Sequence, residues 1–235
     1  MFKFQVSRYN LINKKIPHKK ILFLSDLHSE FPLELHSLIS SEKIDYIFIT
    51  GDIFNKGINE EIENLDEMLF NLRSLSQKCL IYCSLGNHEF KYDNVDYICE
   101  KLKENNLHLL DDESIELDGF YLYGLTPIKR GTVKKENMEN FPLETDRTIV
   151  LCHKPLDYIE NIQPRNPFLT LSGHNHGGQW RLFGIGIYAP DEGLFPKYTS
   201  GFYFKNKLLV SRGLGNKCGI PRINNKPQVI ILTIN

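Results

Sequence analysis

The sequence predicts an α/β fold with two β-sheets in one domain, and three features predict it. Strand-length apolar runs alternate with amphipathic helical stripes. The runs close on Gly, Ser or Asn punctuation. The last third of the chain turns strand-rich. No repeat, low-complexity tract or linker divides the 235 residues, so a single domain over 1–235 is expected.

Taken in order, the run at 21–24 ends in Ser25-Asp26, and that at 44–49 in Thr50-Gly51-Asp52. Residues 80–83 lead into Ser84-Leu85-Gly86-Asn87-His88, 148–152 into His153, and 168–171 into Ser172-Gly173-His174. Helices are expected between them. Ile62, Leu65, Leu69, Leu72 and Leu75 recur at three or four residues, with Glu60 and Glu61 in the first turn. Val95, Ile98 and Leu102 form a shorter stripe with Asp93 as N-cap. Residues 155–162 form a brief helix with Pro at its start. Residues 107–125 supply two or three short strands around an Asp118-Gly119 turn. A hairpin at 202–210 and a final strand at 228–234 follow. Segments 127–147 and 177–199 read as loops, and loops of that length in a compact domain are often functional. Trp180, Phe183 and Tyr188, inside the second, are expected to pack in the core.

Composition excludes several classes. Hydrophobic residues at 41% and charged residues at 24% describe a globular chain. No apolar run approaches the ~20 residues a membrane-spanning helix needs, and no leader precedes the fold, so a cytoplasmic protein is expected. Residues 1–25 hold six basic residues and no acid, while the remaining 22 Lys+Arg face 29 Asp+Glu. That segment leaves room for peripheral contact with an anionic membrane. The whole-chain pI near 6.7 argues against an obligate nucleic-acid partner. Five scattered cysteines without a Cys-x-x-Cys pair indicate buried thiols, neither disulfides nor a thiolate zinc site.

The chemistry sits at the strand ends: Asp26-Leu27-His28, Gly51-Asp52, Gly86-Asn87-His88-Glu89, His153 and Gly173-His174-Asn175-His176. Five of the eight histidines lie there. Open α/β sheets place ligands beyond the carboxyl ends of their strands, so these tips are expected to converge. Carboxylates, an amide oxygen and imidazoles without sulfur suit Mn²⁺, Fe, Co²⁺ or Zn²⁺ better than Ca²⁺ or Mg²⁺. The donors are too many for one tetrahedral ion. Divided between two, with one carboxylate shared, they describe a pair of ions roughly 3.5–4 Å apart.

In this order, the motifs strongly resemble those of the calcineurin-like metallophosphoesterase superfamily, over residues 21–176. The resemblance implies a two-sheet β-sandwich flanked by helices, in four α/β/β/α layers, with two metals at the sheet edge. It implies Asp26, His28, Asp52 and His176 around one ion, and Asp52, Asn87, His153 and His174 around the other. Asp52 would bridge them together with a water or hydroxide, and His88 would face the substrate. Gly-His-Asn-His-Gly-Gly-Gln (173–179) and Ser211-Arg212-Gly213-Leu214-Gly215 resemble a bacterial branch that often carries an N-terminal membrane anchor, an anchor not expected here. Some members of that branch cleave a pyrophosphate in a nucleotide-linked lipid.

The expected activity is therefore two-metal hydrolysis of a small phosphorylated substrate: a phosphodiester, phosphomonoester or pyrophosphate. Mn²⁺ is the leading ion, with Fe, Zn²⁺, Co²⁺ or Ni²⁺ as other fits. The shared hydroxide would attack phosphorus in line. His88 would protonate the leaving group or stabilise its charge. Glu89 is expected to orient a ring or pack locally. Arg212 is the candidate grip on phosphate oxygens, together with Asn87 and His88. Arg181, Lys154 and the basic residues at 129–135 have the same chemistry. Against this stand a metal-binding scaffold without chemistry, and a nuclease.

Overall fold

The apolar runs become the middle of two sheets. The computed structural model describes residues 4–55, 62, 64–127, 138–189, 191–216 and 220–235. From edge to edge, the first sheet is β1 (Gln5–Leu11), β16 (Gln228–Ile234), β2 (Lys19–Leu24), β3 (Tyr46–Thr50), β4 (Leu80–Ser84) and β5 (Leu107–Leu109). The second is β14 (Gly201–Tyr203), β15 (Leu208–Val210), β9 (Leu169–Ser172), β8 (Thr148–Cys152), β7 (Phe120–Leu125) and β6 (Glu113–Leu117). Strands β2 to β5 run parallel, as do β7, β8, β9 and β15.

Alternation along each central strand assigns side chains to different cores. Ile21 and Phe23 face the second sheet, where they meet Phe48, Leu122, Ile149, Leu171 and Leu232. Leu22 and Leu24 face the other way, with Ile47, Ile49 and Ile81. That face is covered by α1 (Glu34–Glu42), α2 (Leu65–Ser76) and α3 (Val95–Glu104), through Leu35, Leu72, Leu75, Ile98 and Leu102. A third cluster covers the outside of the second sheet, with Val150 and Cys152 against Tyr158 and Ile162. The fold is thus the layered α/β/β/α sandwich. Strands buried on both faces read as unbroken apolar runs, which is why they were legible.

Four local expectations need correction. α2 begins at Leu65, with Asp66 and Glu67 in its first turn; Glu60 and Glu61 lie outside the described residues. The cap of α3 is Asn94 rather than Asp93, its side chain accepting the Tyr97 N–H at 3.0 Å. The brief helix at 155–162 opens as α4 (Pro155–Asp157) but continues as a wider π turn over Tyr158–Ile162. Segment 177–199 is not plain loop. It holds two small antiparallel hairpins, β10 (Arg181–Leu182) with β11 (Ile185–Gly186), and β12 (Tyr188–Ala189) with β13 (Gly193–Leu194).

The four cysteines among the described residues are free: Cys79, Cys83 and Cys152 are buried and Cys99 is half-buried, while Cys218 lies outside the described residues. Among the described residues, no helix is long and apolar enough to cross a membrane.

Candidate metal centre

Each predicted site residue follows a strand: Asp26 and His28 after β2, Asp52 after β3, Asn87 and His88 after β4. His153 follows β8, and His174 and His176 follow β9. The tips of both sheets meet. Asp26, His28 and His176 place one donor atom each within 4.8 Å of one another, and so do Asp52, His153 and His174. The two groups touch through Asp52, whose Oδ2 lies 3.2 Å from His153 Nε2 and 3.9 Å from His28 Nε2. Asn87 Oδ1 lies 3.0 Å from His153 Nε2. His28 Nε2 and His176 Nε2 are 3.0 Å apart, with Asp26 Oδ1 3.8 Å from the latter. His88 groups with His28 and Asp52. Asp26, His28, Asp52, His153 and His176 are buried, while Asn87, His88 and His174 are half-buried.

The backbone here is unusual. Asp26, His28, Asp52, His174 and His176 all have positive φ, between 44° and 74°. Side chains rarely adopt that region, and such strain gathers at functional sites. Two glycines make room for the carboxylates: a Cβ on Gly86 would strike Asp52 Oδ1, and one on Gly173 would strike Ser25 Oγ and Asp26 Oδ2. Asp26 is held from two sides. Ser25 Oγ donates to Oδ2 at 2.6 Å, and the His174 N–H donates to the carboxylate at 3.0 Å.

Glu89 is fully buried and receives four backbone N–H groups. Oε2 accepts from Gly86 and Asp52 at 2.8 and 3.0 Å, and Oε1 from Ile53 and Phe54 at 2.8 and 3.2 Å. It therefore orients backbone, where orienting a ring or local packing was expected. One carboxylate ties the turn carrying Asp52 to the turn carrying Asn87. Burial pushes Glu89 up to about 7, and Asp52 adds to the rise, while the N–H bonds oppose it.

Proton bookkeeping indicates what the cluster can hold. The Thr50 carbonyl can only accept, so His153 Nδ1, 2.6 Å away, carries hydrogen. His153 Nε2 then faces two oxygen acceptors, Asp52 Oδ2 and Asn87 Oδ1, a contact that either a proton on Nε2 or a metal ion between them satisfies. Without a metal, the electrostatics favour the proton. Burial depresses His153, yet Asp52 and Asp26 overcome it and raise the group to about 9. Burial raises Asp52 in turn, but His153, His88 and His28 hold it well below the usual carboxylate range. His28, driven to about 3 chiefly by burial, is a neutral imidazole with an open lone pair. Burial also holds His174 and His176 neutral. Neutral His28, His174 and His176, ionised Asp52 and a His153 that would give up its Nε2 proton to an ion form a donor set that fits divalent transition ions.

His88 differs from the rest. Lys91 Nζ lies 2.7 Å from its Nε2, and an ammonium only donates, so the neutral ring carries its proton on Nδ1. That nitrogen is buried and meets no partner among the described residues. Burial foremost, then Lys91, lowers its pKa against the pull of Asp52.

Other candidates are placed as follows. Arg212 Nη2 donates to Gln5 Oε1 at 2.8 Å, on β1. Arg181 donates to the Gly177 carbonyl at 2.6 Å and to that of Gly184. The basic residues at 129–135 lie outside the described residues. Arg222, absent from the sequence expectations, packs behind His176, with Nη2 3.2 Å from its Nδ1 and bonded to the carbonyl of Gly215 at 2.6 Å. No local motif marked it. Lys91 could have been found, standing one turn past His88. Trp180 and Phe183 are not core residues: they are 37% and 95% exposed.

The family whose model matches this chain, over residues 19–184, is described as calcineurin-like phosphoesterase. An uncharacterized metallophosphoesterase of Helicobacter pylori is 28% identical over 222 residues, covering 86% of this chain and 55% of its own length. The chain thus spans about half of that relative. The phosphodiesterase YaeI of Escherichia coli is 29% identical over 232 residues, covering 92% of this chain and 82% of its own. The solved structure of YfcE, a phosphoesterase from E. coli, aligns over 86% of this chain and 85% of that one, at 16% identity and a TM-score of 0.41.

Proposed function

Because the chain belongs to the calcineurin-like phosphoesterase family, we propose that it hydrolyses phosphodiesters at a centre of two divalent ions. The observation that carries this reading is the pair of donor groups meeting at Asp52. Asp26, His28, Asp52 and His176 would hold one ion, and Asp52, Asn87, His153 and His174 the other. Mn²⁺ is the ion we favour. Bound there, two such ions supply an activated water near neutral pH and neutralise charge on the phosphoryl oxygens. A diester is preferred because a relative alike over most of both chains is named a phosphodiesterase.

The chain's own residues do the rest. Glu89 fixes the two turns so that Asp52 and Asn87 keep their separation. The Nδ1–H of His88 has no acceptor among the described residues, and we assign it the leaving oxygen of the substrate. As the ring is neutral at pH 7, it acts by donating a hydrogen bond rather than by delivering a proton from an imidazolium.

His88→Ala should keep both ions and lose roughly 10²–10⁴-fold in turnover. Metal analysis beside hydrolysis of bis-p-nitrophenyl phosphate measures both; equal loss of metal would make His88 a ligand. The proposal as a whole is tested on metal-stripped protein reloaded with Mn²⁺, assayed on that diester and on p-nitrophenyl phosphate. Turnover that needs the ion and favours the diester is expected. Reloaded protein inert towards both would count against it.

A further inference from the structure

His88 stands in two roles at once. It offers a donor atom within 4.8 Å of others on His28 and Asp52, so proximity alone would make it a metal ligand. Its place beside the substrate requires the opposite, a ring that keeps a proton and stays off the ions. Which role it takes depends on where the imidazole holds its hydrogen, because the two ring nitrogens are distinct.

The segment after His88 controls that choice. Glu89–Lys91 form a single 3₁₀ turn, and the Lys91 N–H donates to the His88 carbonyl at 3.0 Å. Side chains three residues apart eclipse one another in a 3₁₀ turn, where an α-helix would offset them. Lys91 is thus brought alongside the ring, with Nζ 2.7 Å from His88 Nε2. The turn is anchored from within, since buried Glu89 accepts from four backbone N–H groups. The His88 N–H is fixed as well, donating to Asp52 Oδ1 at 2.8 Å. His28 packs edge to face on the ring, with centroids 4.5 Å apart.

An ammonium has donors only, so Nε2 spends its lone pair on Lys91 and the neutral ring carries its hydrogen on Nδ1. That nitrogen is buried and meets no partner among the described residues. For the ring by itself this is the wrong arrangement. A buried donor without an acceptor is costly, and moving the proton to Nε2 would remove the cost. The contact with Lys91 is what opposes the move.

We propose that Lys91 is a positioning residue: by donating to Nε2 it keeps the His88 proton on Nδ1, which holds the ring off the metal ions and leaves it a hydrogen-bond donor. One nitrogen is engaged by the ammonium and the other by the proton, so no lone pair remains for an ion. The positive charge of Lys91 opposes a cation on the ring as well. The effect on turnover rests on the function proposed above for His88, whereas the placing of the proton does not.

Long-range ¹H–¹⁵N NMR of metal-stripped protein at about pH 8, where the ring is neutral, reads which nitrogen of His88 is protonated without any need for turnover. The parent should show Nδ1–H. Lys91→Met should move the proton to Nε2, and Lys91→Arg, whose guanidinium also only donates, should keep it on Nδ1. With Mn²⁺ restored, Lys91→Met should bind as much metal as the parent and keep its KM for bis-p-nitrophenyl phosphate. Its kcat should fall about tenfold or more, though by less than in His88→Ala, and Lys91→Arg should recover most of the loss. A parent ring protonated on Nε2, or a Lys91→Met ring still protonated on Nδ1, overturns the proposal. So does Lys91→Met protein short of metal, which would make the lysine a support of the centre rather than of the ring. A parent inert towards the diester would count against phosphodiester hydrolysis, and the NMR result would still decide where Lys91 holds the proton.

Discussion

Asp52→Asn is expected to empty at least one metal position and to lower diester turnover by roughly 10³-fold or more, several kcal/mol of lost charge stabilisation. The substitution is nearly isosteric. The Asp52 Oδ1 contact that receives the His88 N–H at 2.8 Å can be kept by an amide oxygen. What disappears is the charge on Oδ2, which lies 3.2 Å from His153 Nε2 and 3.9 Å from His28 Nε2 and so links the two donor groups. No other carboxylate among the described residues appears in two of the metal-competent groups. Metal analysis and turnover on the same preparation check it; full occupancy of both positions would remove the shared role from Asp52.

Glu89→Gln should have the larger effect on the fold itself. Four backbone N–H groups donate to this carboxylate. An amide offers one oxygen, so its NH₂ would face two donors and leave them unpaired in a buried site. Each unsatisfied buried group costs about 1–3 kcal/mol, for a total of roughly 2–6 kcal/mol. A urea titration at pH 8, above the value of about 7 to which burial raises Glu89, should show a lower midpoint with an unchanged slope. Metal affinity should fall with it, because the turns bearing Asp52 and Asn87 lose their common anchor. Stability within about 0.5 kcal/mol of the parent would show that the network is dispensable.

Much of the site was legible because the chemistry stands at the ends of buried parallel strands, where a continuous apolar run stops abruptly at a polar residue. Asp26, His28, Asp52, Asn87, His153, His174 and His176 carry that signal. Glu89 stood within the same motif, but its task depends on N–H groups of Ile53 and Phe54, some 36 residues earlier, and no pattern predicts that convergence. Arg222 lies 46 residues from His176 and is brought there by the loop before β16. The hairpins at 181–194 escaped notice because strands of two residues are too short to show a period of two. Phe183 was misassigned for a related reason: hydrophobic identity argues for burial, and only tertiary structure reveals an aromatic held out at a turn.

The central claim, two ions cooperating at Asp52, is tested most directly by titrating Mn²⁺ into metal-stripped protein while counting bound ions and measuring diester hydrolysis. The account predicts little turnover with one ion bound and a rise that saturates at two per chain. Full turnover with a single ion, or with none, would contradict it.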